Sequence, residues 1–179
     1  VLFFSVILVL GLGLGAFSLV RFFGGGGLHN GGPLAPREGS SVAVTGPVDV
    51  HTPYSWGLIH LHNAGGDPAH LEALDLGRIP RGLRVLGSYA VPGNAGIGLI
   101  PKFEPSKGQS VVGLTIPPET TYNIVVGLSA TTQGRHLIPN VRVRYTSGGR
   151  SYEATFQTAI ALCAPKAESM KRDCPSPLD

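Results

Sequence analysis

From residue 41 onward, apolar and polar side chains alternate with a period of two. Tyr122, Ile124, Val126 and Leu128 alternate with Asn123, Val125, Gly127 and Ser129. Val141, Val143 and Tyr145 alternate with Arg142 and Arg144. Tyr152, Ala154, Phe156, Thr158, Ile160 and Leu162 continue the same period as one run. That period is the signature of half-buried strands. Shorter candidates lie at 41–50, 55–62, 71–76, 83–91 and 110–116, with Gly and Pro in every gap. No amphipathic helical pattern appears after residue 24. Seven or eight short strands in this length predict an all-β antiparallel sandwich.

One hairpin can be read in register. Ser147-Gly148-Gly149-Arg150 places two glycines at the centre of a two-residue turn, which requires positive φ. Tyr145 then faces Tyr152, Val143 faces Ala154, and Arg144 lies opposite Glu153.

The first twenty residues break the pattern. Val1–Val20 carries no charge, and its only polar side chains are Ser5 and Ser18. Twenty helical residues span about 30 Å, the thickness of a bilayer core. Arg21, Phe22 and Phe23 follow, suited to the headgroup region. The run is longer than the apolar core of a secretory signal peptide. It predicts one transmembrane helix over 1–23. Gly11 and Gly15 form a small-xxx-small pair on which another membrane helix could pack closely. The expected partners are integral membrane subunits met through this helix, and the lipid bilayer. Homo-oligomerisation through the same glycines is the alternative.

Residues 24–40 hold seven glycines and two prolines and read as a linker. The sandwich is expected over 41–162. The tail, 163–179, holds Cys163 and Cys174, the two cysteines of the chain. Their short spacing beside a Pro-rich tail predicts a disulfide, a bond that persists outside the cytoplasm. The sandwich is therefore expected on the extracytoplasmic side of a bacterial cell membrane. Arg outnumbers Lys ten to four, a usage that suggests a GC-rich bacterial genome.

Composition narrows the function. Of 179 residues 14% are charged, and the net charge is +3 with no dense basic run, so no nucleic-acid partner is expected. Two cysteines exclude a four-thiolate zinc site, and one Met excludes a Met-rich metal carrier. No nucleophile elbow, H-E-x-x-H, P-loop or dinucleotide fingerprint occurs. No catalytic, cofactor-binding or metal-binding residue is assigned, and no enzyme is expected. His60 and His62 share one face of a strand. Paired with a strand at 70–76, they would meet His70 and Glu72, a donor set for zinc or copper. The parity of Ile59 and Leu61 instead marks their side as the buried one and leaves the histidines outside. Residues 92–107 form a long stretch of low periodicity, with Ile97, Leu99, Ile100 and Phe103 as a candidate partner-binding loop.

The stretch His62-Asn63-Ala64-Gly65-Gly66-Asp67-Pro68-Ala69, then Leu74-Asp75-Leu76, then Ile79-Pro80-Arg81-Gly82-Leu83 resembles a recurring bacterial pattern. It is similar to the N-x-G…P-x-G-L of immunoglobulin-like domains in bacterial surface and cell-envelope proteins. The resemblance implies an immunoglobulin-like sandwich used as a spacer, adhesion module or subunit. Together these readings point to a non-enzymatic accessory or structural subunit of a membrane complex. A surface adhesion or filament module and a metal-handling envelope domain are the alternatives.

Overall fold

A computed structural model describes residues 27–36, 42–93 and 98–165. The predicted membrane helix, Gly11 and Gly15 with it, lies outside the described residues, as do Ile97 and Cys174. Among the described residues no helix is long and apolar enough to cross a membrane.

The described residues form an all-β sandwich of twelve strands. They follow in order: β1 (His29–Asn30), β2 (Val42–Pro47), β3 (Tyr54–His62), β4 (Ala69–Asp75), β5 (Leu83–Pro92) and β6 (Leu99–Ile100). Then come β7 (Thr115–Ile116), β8 (Thr121–Ala130), β9 (Gly134–Ile138), β10 (Val141–Ser147), β11 (Arg150–Phe156) and β12 (Thr158–Ala164). They form a five-stranded sheet β1-β11-β10-β4-β7, a four-stranded sheet β5-β8-β3-β6 and a three-stranded sheet β2-β12-β9. One 3-10 turn, Pro105–Lys107, interrupts the strands.

The core follows the period-two pattern. Val141, Val143 and Tyr145 of β10, with Leu71 of β4, belong to one cluster with Trp56, Ile59 and Leu61 of β3 and Ile124, Val126 and Leu128 of β8. Burying each such side chain contributes about 1.5–3 kcal/mol. The hairpin has the predicted register: Tyr145 pairs with Tyr152, Val143 with Ala154, and Arg144 with Glu153. Gly148 and Gly149 turn with φ of +55° and +73°.

Two expectations change. The run 152–162 is not one strand. It breaks at Gln157, and β11 pairs with β10 while β12 moves to β2 and β9. Phe156 and Thr158 are both buried, so the side-chain parity passes unbroken through the switch between sheets. The second change concerns the stretch read as a linker. Residues 27–36 belong to the sandwich: β1 pairs in parallel with β11, and Leu34 is 1% exposed in the core. At the other end β12 carries the sandwich on to Ala164, and Cys163 is buried within it.

Candidate interaction site

Residues 98–109 lie as a strap across the outer face of the four-stranded sheet. The strap starts at the β3 edge, where Gly57 N donates to Gly98 O at 3.0 Å and β6 pairs with Ser55 and Trp56. Ser55 Oγ donates to Lys102 O at 2.6 Å. Phe103 then crosses β8. A Cβ on Gly127 would meet the Phe103 ring at 2.5 Å, so the ring sits where only glycine leaves room. Tyr89 of β5 flanks it, with ring centroids 5.8 Å apart. The strap leaves over the β5 edge, where Ala90 and Gln109 exchange backbone hydrogen bonds of 2.8 and 2.9 Å.

The charges of the strap pair with one another. Glu104 accepts from Lys102 at 2.5 Å and from Lys107 at 2.6 Å. Hydrogen bonds from the two ammonium groups hold its carboxyl below the usual range and lift the Lys107 ammonium above its own.

The four predicted loop residues therefore separate. Leu99 packs against the core, beside Gly46. Phe103 is half-buried on the sheet. Ile100 points outward and is 63% exposed. Ile97 lies outside the described residues.

The histidines do not gather. β3 and β4 lie in different sheets, so His62 does not face His70 and His60 does not face Glu72. His62 Nδ1 lies 3.0 Å from Thr121 Oγ1, and its Nε2 lies 3.9 Å from the Glu119 carboxylate. His70 Nδ1 lies 2.9 Å from Thr115 Oγ1. Ile59 and Leu61 are buried, as their parity predicted. Among the described residues no three His, Cys, Asp or Glu side chains are grouped to hold a metal.

Two polar side chains to which the sequence assigned no site role hold one end of the sandwich together. Asn63 is fully buried at the end of β3. Its Nδ2 donates to Asp67 O and Ile116 O at 2.9 Å, and its Oδ1 accepts from Gly65 N at 3.0 Å. It thus joins the 64–67 loop to β7 of the opposite sheet, which is a physical use for the N-x-G spacing. Tyr145 is the other. Its hydroxyl donates to Gly31 O at 2.6 Å and accepts from Leu34 N at 3.0 Å. Burial pushes the phenol up to about 12. Tyr152 stacks on it at 5.3 Å, and a Cβ on Gly32 would collide with the Tyr145 hydroxyl and the Tyr152 ring. The usable sequence signal was Gly32 followed by Pro33 and an isolated apolar Leu34.

No protein-family profile matches the sequence, and no curated protein does. Several solved structures give distant likenesses, among them these three. VesB protease of Vibrio cholerae is 13% identical at a TM-score of 0.38, covering 67% of this chain and 30% of that one. The ASH/PapD-like domain of human CEP192 (PapD-like domain 7) is 11% identical at 0.39, covering 69% and 79%. A non-cellulosomal cohesin from Archaeoglobus fulgidus is 11% identical at 0.29, covering 74% and 97%. At these values they carry no argument about activity or partners.

Proposed function

We propose that the chain is a non-enzymatic, single-pass membrane protein. On this reading it serves as an accessory or structural subunit of a larger bacterial membrane complex, with an immunoglobulin-like sandwich on the extracytoplasmic side. The observation that carries the reading is the uncharged run Val1–Val20, closed by Arg21, ahead of a β-sandwich. The sandwich's described polar side chains fit a scaffold role. Asn63 and Tyr145 brace backbone, and Lys102, Glu104 and Lys107 pair with one another within the strap. Ile100 supplies an apolar contact on the outside of the strap. The Cys163–Cys174 disulfide belongs to the same reading, and non-reducing peptide mapping tests it: two free thiols remove the support for an outside location.

The main test is purification of the full chain in mild detergent, with mass spectrometry of the chains that come with it. A defined set of membrane subunits is expected, lost when Gly11→Leu and Gly15→Leu are combined. Copies of this chain alone would favour the filament or adhesion reading. Unchanged co-purification of that variant and of Ile100→Ala would reject the assigned contacts.

A further inference from the structure

The docking of residues 27–36 fixes the end of the sandwich at which the chain enters. β1 runs parallel to β11, with His29 opposite Tyr152. The chain therefore enters from the Arg150 end of β11. That end also carries the Gly148–Gly149 turn and the loop at Asp67, whose carboxylate lies against Gly148. Pro33 packs there too: Ala64 N donates to Pro33 O at 3.1 Å, and a Cβ on Gly65 would meet Pro33 at 2.8 Å. The opposite end follows from β8. Thr121 pairs with His62 beside that loop, while Ala130 pairs with Leu83. The nine residue steps from Thr121 to Ala130 rise about 30 Å. Ile100 pairs with Ser55, near the far end of β3.

From Arg21, where the apolar run ends, to Leu28, next to β1, the chain is seven residues long. Fully extended it reaches about 25 Å. We propose that the end of the sandwich formed by Leu28, the 64–67 loop and the Gly148–Arg150 turn faces the lipid headgroups, and that the strap with Ile100 stands away from the bilayer. This rests on the anchor reading above. Leu28 is 52% exposed and Arg150 is exposed, an apolar side chain and a cation suited to a headgroup layer. A contact made by Ile100 would then be to another extracytoplasmic domain and not to a membrane-embedded surface.

The test reconstitutes the full chain into vesicles of phosphatidylethanolamine and phosphatidylglycerol that contain a nitroxide-headgroup lipid. Gly66→Trp and Arg81→Trp report the two ends. Gly66 has open space at its Cβ, Arg81 is exposed, and the native Trp56 is fully buried and gives a common background. The added emission of Gly66→Trp should be quenched severalfold more than that of Arg81→Trp. Inserting twenty Gly/Ser residues between Gly26 and Gly27 should remove the difference. Equal quenching, or the reverse order, in a chain that resists alkaline extraction overturns the orientation alone. A chain released by alkaline extraction overturns the anchor and the orientation together.

Discussion

Residues 27–36 and residues 98–109 are both irregular and rich in Gly and Pro, and both are laid onto the sandwich by different means. The first is held from inside. Leu34 enters the core, and one buried phenol satisfies a backbone donor and a backbone acceptor that would otherwise be stranded. The second is held from outside, by an aromatic ring on a glycine floor and by hydrogen bonds to the β3 and β5 edges, while its ion pairs run within the strap itself. The difference teaches that the host surface, and not the composition of a segment, decides whether it behaves as a linker. A segment held by burial should resist salt and fail at high pH. The strap should keep its place in salt as well, with only the ion pairs inside it weakening.

The comparison can be broken at each contact. Leu34→Ala should have the largest effect, lowering stability by about 3 kcal/mol in chemical denaturation, because it empties a fully buried site. Tyr145→Phe should follow at about 2 kcal/mol, since it strands Leu34 N and Gly31 O. It should also change the pH profile. The folded phenol titrates near 12, above the ordinary value of 10.0. Its contribution is therefore complete below pH 10 and is lost as the pH rises towards 12. The Phe variant should lack that component of the alkaline decline. Phe103→Ala removes a half-buried ring and should lower stability by about 1–2 kcal/mol, leaving the Gly31 and Leu34 amides protected. Lys107→Ala should be smallest: its ion pair with Glu104 is exposed, so the melting temperature should stay within error of wild type in high salt.

The strands with regular alternation were legible, and so was the register of the β10–β11 hairpin, because two glycines fix the turn and parity fixes the rest. The break at Gln157 was not. Phe156 and Thr158 stay in phase while their backbone partners change from β10 to β2 and β9, and side-chain parity carries no record of hydrogen-bond partners. The two-residue strands β1 and β6 are too short to show a period, and of the candidate at 110–116 the strand is β7 alone, Thr115–Ile116. β9 was missed as well: its exposed Gly134 and Arg135 precede only one alternation, buried His136 to buried Ile138. Of the strap residues, Phe103 had no visible partner in sequence, because its seat, Gly127, is defined by a missing side chain on another strand.

The central claim is that the chain just after the apolar run is part of the fold and is held there by Tyr145. Native-state hydrogen exchange of the Gly31 and Leu34 amides in the full-length chain tests it most directly. Gly31 N donates to Glu153 O at 2.8 Å and Leu34 N to the Tyr145 hydroxyl at 3.0 Å. Both amides should be protected, with Leu34 protection lost in Tyr145→Phe. Exchange of both at the rate of an unstructured peptide in the wild-type chain would contradict the account and make residues 24–40 a free linker.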